Sequence, residues 1–349
     1  MGVGLLCGGL ISYRDMPLHF LEFYTAIILA LLAHTAIHEA GHLVFGLLSG
    51  YRFVSYRIFH LMWIREDGKL RLKSLSIPGT AGQCLMGPPD LVEDTFPTLI
   101  YNLGGCLANI ITGVIFLALF FLCPYIPLLS MLLLCLGALG FSGALLNGIP
   151  FKNNLVSNDG SNARSLCKDA TARRAFWVQL KVTESSARGI RTKDMPEEWF
   201  SVPAPEDMTN YLTAAMGYLA CGRLMDAGRY EEADALMKQL LEQDIALAGL
   251  HRHLLICDRI TLELLGQNRH EVVDAMLTTQ QKQVMKKMRS FVSVIRTEYV
   301  YALLAWNDPE KAKTLRAQFE KQAKHYPYPH ELISERELMD LALNKYQQQ

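Results

Sequence analysis

The sequence predicts a mainly helical protein, in which a polytopic membrane core with a small β-hairpin region precedes an all-α domain of helical hairpins. Half of the 349 residues are hydrophobic and only 19% are charged, so the chain is more apolar than an average soluble protein. Residues 95–151 contain no Asp, Glu, Lys or Arg, whereas the chain after Lys152 is rich in all four. The front half therefore has the composition of a membrane protein and the back half that of a soluble helical domain.

Three segments of the front half are long and apolar enough to cross a bilayer, which takes about 20 residues. We expect spans at about 18–48, 97–122 and 127–147, the last two separated by the prolines of the intervening turn. Met1 to Ile11 is also apolar but too short to span alone. The sequence leaves open whether this stretch belongs to a further span.

The segment between the first two spans alternates apolar and polar residues. Residues 54–58 and 70–73 show this alternation, and Asp67-Gly68 lies between them. Alternation on both sides of Asp-Gly predicts a membrane-associated β-hairpin region over about 51–84. The glycines and prolines between Pro78 and Pro89 predict an irregular segment after it, followed by an acidic surface loop at 90–94.

Basic residues indicate how the spans are oriented. Six follow the first span and five follow the third, and such residues stay on the cytoplasmic side of a membrane. We therefore expect an integral protein of a bacterial cell membrane with a cytosolic C-terminal domain. The basic residues are Arg52, Arg57, Arg65, Lys69, Arg71 and Lys73 in the first group, and Lys152, Arg164, Lys168, Arg173 and Arg174 in the second.

The chain divides into a membrane core at 1–165, an amphipathic helix and linker at 166–205, and a helical domain at 206–349. Two stretches of that domain, around 228–233 and 307–312, each place a tight turn before a helix that begins Glu-Glu-Ala or Glu-Lys-Ala. Such units resemble tetratricopeptide-type hairpins, which stack into a concave docking surface for a protein partner. A plain helical bundle, and a folding scaffold without a partner, remain the alternatives.

Residues 38–42 form the most informative motif in the chain, His-Glu-Ala-Gly-His. On a helix, His38 and His42 lie on one face and can bind one zinc ion, while Glu39 can take a proton from a water bound to it. Glu39 is the only charged residue between Phe23 and Leu48. A carboxylate inside a membrane span is costly, which indicates a functional role.

A catalytic zinc needs a third protein ligand beside the two histidines. Asp159 is favoured, because it follows the third span on the side where the first span also ends. The alternative is that this Asp before a glycine forms a turn or a helix cap. The other acidic residues near the membrane core are Glu22, Asp90, Glu93 and Asp94.

Three further polar residues lie within otherwise apolar spans. His34 is one helical turn before His38 on the same face, where it could support the site, serve as a spare ligand or pack among helices. Asn109 and Asn147 carry amides that need hydrogen-bond partners, so both should face the bundle interior, where they could also bind a substrate backbone.

These motifs together resemble the site-2 protease family of intramembrane zinc metalloproteases over about residues 17–165. The resemblance rests on residues 38–42, on 104–109 (Gly-Gly-Cys-Leu-Ala-Asn), and on 147–150 (Asn-Gly-Ile-Pro) before Asp159-Gly160. It implies a three-span core, a membrane-associated β-hairpin that ends near Gly82, and Zn²⁺ as cofactor.

By the same resemblance, His38, His42 and Asp159 bind zinc and Glu39 is the general base. Asn109, Asn147, His34 and Gly82 then surround the site or the substrate. The implied activity is hydrolysis of a peptide bond in or near a membrane-spanning segment of a protein or peptide.

Two other functions compete with proteolysis. A proteolytically inactive membrane scaffold of the same fold is the main alternative, and a metal or peptide transporter fits three spans poorly. The lipid bilayer is an expected partner, whereas the formal net charge of zero gives no indication of nucleic-acid binding. The eight cysteines show no C-x-x-C pair, so a zinc site built from them is not expected.

Overall fold

The computed structural model describes residues 20–66, 68–123, 126–150 and 158–349. The question of a span at Met1 to Ile11 lies outside these residues. The described part is mainly helical, with three long apolar helices, one small antiparallel sheet and a series of shorter helices behind them.

Three helices are long and apolar enough to cross a membrane, and they coincide with the predicted spans within about two residues. They are α1 (Phe20–Leu48), α2 (Leu99–Leu122) and α3 (Pro127–Gly148). Small residues let the helices approach closely. A methyl group on Gly104 of α2 would lie 2.8 Å from the carbonyl oxygen of Gly41 in α1, so the two backbones are in contact at the level of the histidine motif.

The segment between α1 and α2 forms a four-stranded antiparallel sheet of order β3-β2-β1-β4. Its strands are β1 (Arg52–Ile58), β2 (Leu61–Glu66), β3 (Lys69–Ser74) and β4 (Gly82–Gly87). The predicted hairpin around Asp67-Gly68 is the β2–β3 pair.

The prediction that the glycine- and proline-rich stretch after this hairpin is irregular was wrong over β4. Gly82 and Gly87 are the first and last residues of that strand, and only glycine fits at either position because a neighbouring carboxylate occupies the space that a side chain would need. A methyl group would lie 2.6 Å from Glu39 Cγ at Gly82, and 2.5 Å from Glu184 Cδ at Gly87.

Short helices fill the chain from Asp159 onward. The predicted amphipathic helix is α5, and three short 3-10 turns occupy the predicted linker. Two tight turns with a residue at positive φ, Gly228 (73°) and Asn307 (54°), join the helix pairs expected from the sequence, α6–α7 and α11–α12. The helices are α4 (Asp159–Lys168), α5 (Ala170–Ala187), α6 (Tyr211–Asp226), α7 (Tyr230–Glu242), α8 (Gly249–Leu265), α9 (His270–Met276), α10 (Thr279–Lys287), α11 (Val292–Leu304), α12 (Pro309–Ala323) and α13 (Glu331–Gln347).

The sheet shares a hydrophobic core with the C-terminal helices. Met62 and Ile64 of β2 belong to the same buried cluster as Ile295 of α11. The N–H of Ser74 at the end of β3 donates to the carbonyl oxygen of His325 at 2.8 Å. The sheet is therefore held on one side by these helices, while Gly82 at the start of β4 reaches Glu39 on α1.

Candidate metal centre

His38, His42 and Asp159 converge on one point between the helices. Asp159 Oδ2 lies 3.0 Å from His38 Nε2 and 3.4 Å from His42 Nε2, and the two ring nitrogens are 3.3 Å apart. His42 is buried and the other two side chains are largely shielded from solvent. This group could hold a metal ion.

Asp159 reaches the cluster because the start of α4 is fixed against the end of α3. Asn158 caps α4 by accepting the N–H of Ser161, and its own amide donates to the carbonyl oxygens of Leu146 (2.8 Å) and Ile149 (2.7 Å). Gly160 allows the two chains to touch, since a methyl group there would lie 2.6 Å from the carbonyl carbon of Gly148. The carboxylate of Asp159 thus projects from the first turn of α4 towards α1.

Both histidine rings are held so that Nε2 faces Asp159. His42 Nδ1 donates to the carbonyl oxygen of Tyr101 at 2.8 Å, and His38 Nδ1 lies 3.2 Å from the side-chain amide of Asn109. The backbone of Gly105 lies flat against the His38 ring, because a methyl group there would come within 2.6 Å of Nδ1. Partners of this kind fix the tautomer of a metal-binding histidine.

The donor set fits a small divalent cation. A tetrahedral ion bound at about 2.0–2.2 Å holds its ligand atoms about 3.3 Å apart, and the three observed separations are 3.0, 3.3 and 3.4 Å. With Nδ1 of His42 as the donor to Tyr101, a neutral His42 ring would present the lone pair of Nε2 to an ion placed among the three atoms.

Asp159 is in the ionic form that a metal requires. Burial by itself raises the pKa of its carboxyl group, but the adjacent His38 and His42 rings outweigh burial and hold the pKa well below its usual range. An ionised carboxylate and two imidazoles are the ligand types of a zinc site with one open position.

Glu39 is buried beside this cluster, with 7% of its surface exposed. Gly82 of β4 packs directly on its carboxylate. Arg57 holds this part of the sheet, because its guanidinium donates to the carbonyl oxygens of Phe59 (2.6 Å) and Gly82 (3.2 Å) and to the hydroxyl of Thr80. Burial lowers the pKa of Arg57 from its ordinary value, while the nearby Glu39 carboxylate opposes that change.

The four residues predicted to surround the site or the substrate differ in what they contact. Gly82 contacts Glu39, and Asn109 lies between His38 and His34. His34 is not one of the convergent donors, since its Nδ1 lies 3.2 Å from the side-chain amide of Asn109 and its Nε2 lies 2.6 Å from the carbonyl oxygen of Leu136. Asn147 lies in the last turn of α3, and its amide donates to the carbonyl oxygen of Gly143 in the same helix at 3.1 Å.

The other acidic residues considered as ligands lie elsewhere among the described residues. Asp90 pairs with Lys181 at 3.3 Å, and Asp94 lies 3.8 Å from Arg174. Glu93 is exposed in the same loop, and Glu22 lies in the first turn of α1, more than four turns before the motif.

Sequence reasoning missed Tyr101 and Arg57. Tyr101 supports His42 through a backbone carbonyl group, which every residue type possesses, so no sequence pattern could have found it. Its hydroxyl also donates to the carbonyl oxygen of Cys84 in β4 at 2.9 Å. From the sequence, Arg57 was interpreted only as a basic residue that indicates the orientation of the spans. A basic residue within an alternating strand can also be a sign of a buried, hydrogen-bonded guanidinium.

No protein-family model, curated protein or solved structure matches the chain.

Proposed function

We propose that the protein is a zinc-dependent intramembrane endopeptidase that hydrolyses a peptide bond in or near a membrane-spanning segment. One observation carries the proposal. His38 and His42 of an apolar helix meet Asp159 of another helix within 3.4 Å, with the buried carboxylate of Glu39 in the same turn of α1.

The three convergent side chains would hold the zinc ion, and Glu39 would move the proton. Zinc supplies Lewis-acid activation of a water and of the peptide carbonyl when it is bound. Glu39 accepts a proton from the attacking water and delivers it to the leaving amine. Its burial excludes bulk solvent from the proton transfer, and Gly82 fixes the place of its carboxylate.

A substrate helix must unwind before cleavage, because its carbonyl groups are tied up in backbone hydrogen bonds. The edge of β4 offers a place to hold the unwound segment by strand addition. The N–H of Phe59 donates to Ala81 at 2.7 Å, so the alternation of an antiparallel pair turns the backbone groups of Gly82 and Cys84 away from β1. The carbonyl oxygens of Gly82 and Cys84 already accept hydrogen bonds from Arg57 and Tyr101, so an added strand would pair with their N–H groups.

The surroundings of the site suggest where the protein acts and with what. Basic residues after the first and third spans favour a bacterial cell membrane with the C-terminal helices in the cytosol. These helices would offer a docking surface for a protein partner. They pack on the sheet that carries Gly82.

The proposal is tested by zinc content and cleavage of synthetic single-span peptides, with purified full-length protein in lipid nanodiscs. Glu39→Gln should keep zinc but lose cleavage, because the metal ligands are intact and the proton acceptor is gone. Asp159→Ala should lose most of the bound zinc. Glu22→Gln, an equivalent change at the start of the same helix, is the matched control and should behave as wild type.

Two results would contradict the proposal. Equal zinc content in wild type and Asp159→Ala would show that Asp159 is not a ligand. Zinc binding by wild type without cleavage of any peptide in the panel would favour the inactive scaffold instead.

A further inference from the structure

A line of hydrogen bonds connects the His38 ring to a third histidine deeper in the helix bundle. His34 and Asn109 are both buried, with 6% and 2% of their surfaces exposed. Asn109 lies 3.2 Å from His38 Nδ1 through Nδ2, and 3.2 Å from His34 Nδ1 through Oδ1. His34 Nε2 lies 2.6 Å from the carbonyl oxygen of Leu136 in α3.

The partner at the end of this line is a group that can only accept hydrogen bonds. Because Leu136 offers a carbonyl oxygen, His34 Nε2 must carry the hydrogen. A neutral imidazole has one N–H, so His34 Nδ1 then presents a lone pair and needs a donor. An amide oxygen facing Nδ1 would instead require a second N–H and a buried cation, and no acidic side chain within the described residues hydrogen-bonds to His34.

The consistent arrangement turns the Asn109 amide by 180°, an orientation that is assigned from the hydrogen-bond network. Asn109 Nδ2 then donates to His34 Nδ1, and Asn109 Oδ1 faces His38 Nδ1. That oxygen accepts only from an N–H, so His38 carries its hydrogen on Nδ1. The lone pair of His38 is thereby placed on Nε2, the atom that faces Asp159 at 3.0 Å.

We propose that His34 is a positioning residue that selects the metal-binding tautomer of His38 through Asn109. The inference rests on the metal centre proposed above and assigns a function to the third histidine of α1. His42 does not need such a relay, because its Nδ1 donates directly to a backbone carbonyl group.

The backbone of α3 holds both members of the relay in place. A methyl group on Gly140 would lie 2.9 Å from His34 Cε1, and one on Gly143 would lie 3.0 Å from Asn109 Nδ2. Because neither side chain has room to move towards α3, the orientation of the amide is determined by its hydrogen-bond partners.

The test measures zinc affinity by chelator competition on full-length protein, and it needs no substrate. His34→Phe keeps a flat ring but removes both nitrogens, and we expect the dissociation constant for zinc to rise about 10-fold, as for other partners of metal-binding histidines. His34→Asn places an amide oxygen near the position of Nδ1, where it can accept from Asn109. It should restore the affinity to within about 3-fold of wild type.

The same substitution of His34, made in an Asn109→Asp variant, distinguishes the relay from an effect of packing. In Asn109→Asp the carboxylate can only accept, so it selects the same His38 tautomer without help from His34. His34→Phe should then change zinc affinity less than 3-fold. The relay is overturned if His34→Phe has no effect in wild type, or if its effect is equally large in both backgrounds.

The outcome for the relay is distinguishable from that for the proposed activity. Zinc binding with the expected affinity pattern but no peptide cleavage would contradict the endopeptidase alone. Cleavage with a zinc affinity insensitive to His34→Phe would contradict the relay alone, and a wild-type protein that takes up no zinc would contradict both.

Discussion

Gly82 of β4 and Glu39 of α1 are in direct contact, so that a methyl group on Gly82 would lie 2.6 Å from Glu39 Cγ. The carboxylate of Glu39, the proposed proton acceptor, therefore packs directly on the sheet. Gly82→Ala should push the carboxylate away from its place and lower the rate of peptide cleavage about 100-fold, the scale expected for a displacement of about 1 Å. Zinc content should remain at the wild-type level, because no metal ligand touches Gly82.

Gln83→Ala is the matched control for this prediction, since it changes the next residue of β4 without adding bulk near Glu39. Its cleavage rate should stay within about 3-fold of wild type. Unchanged cleavage by Gly82→Ala would show that the contact does not position the catalytic carboxylate.

The edge of β4 should be required for cleavage of a helical substrate. Cys84→Pro removes an N–H that points away from β1, so it spares the sheet but takes away a donor for an added strand. We expect cleavage of a single-span peptide to fall at least 10-fold, by roughly the 1–3 kcal/mol of an unmade hydrogen bond. Zinc content measured on the same sample should not change.

Leu72→Pro provides the control at the opposite edge of the sheet. The N–H of Leu75 donates to His60 at 3.0 Å and pairing continues to Glu66–Lys69, which turns the N–H of Leu72 away from β2. This variant should cleave the peptide as wild type does. Equal loss of cleavage in both variants would mean that proline damages the sheet in general.

The three long apolar helices and the cluster of His38, His42 and Asp159 could be predicted from the sequence because each depends on a local or a topological rule. Hydrophobic runs and Pro127 determine where α2 and α3 lie to within two residues. The i, i+4 spacing places His38 and His42 on one face of α1. Asp159 was favoured by the orientation of the spans, and the structure brings it to both rings.

The contacts around the cluster could not be predicted from the sequence, because they depend on backbone groups and on the space that glycine leaves. β4 was expected to be irregular, since glycine and proline within a strand weaken the local signal. Its glycines are required by the carboxylates of Glu39 and Glu184, which come from distant parts of the chain.

The packing of the sheet on the C-terminal helices also could not be predicted from the sequence. Alternation in β2 shows that Met62 and Ile64 share one face of the sheet, but an apolar face fits lipid and protein equally well. The partner of this face is a helix more than 200 residues later in the chain, where Ile295 belongs to the same core. Such a contact has no local signature.

The stability of the C-terminal helices should depend on pH. His251 of α8 stacks on Tyr218 of α6, with parallel ring planes and centroids 4.2 Å apart. Its Nδ1 is buried without a hydrogen-bond partner among the described residues. Burial lowers the pKa of His251 to about 4, against about 6.5 for an imidazole in an unfolded chain.

Because the folded-state pKa is the lower one, the unfolded chain binds the proton more readily than the folded chain does. The contribution of His251 to the free energy of unfolding is therefore retained above pH 6.5 and lost as the pH falls from 6.5 towards 4. At pH 4.5 this loss amounts to roughly 2–3 kcal/mol. His251→Phe keeps the stack on Tyr218 and cannot be protonated, so its loss of stability between pH 7.5 and 4.5 should be smaller by that amount.

Urea unfolding of the full-length protein in detergent, followed by helix content, measures the difference. His270→Phe, at an exposed position of α9, is the control and should lose as much stability as wild type. If His251→Phe also loses as much, burial of the His251 ring does not contribute to the acid sensitivity of these helices.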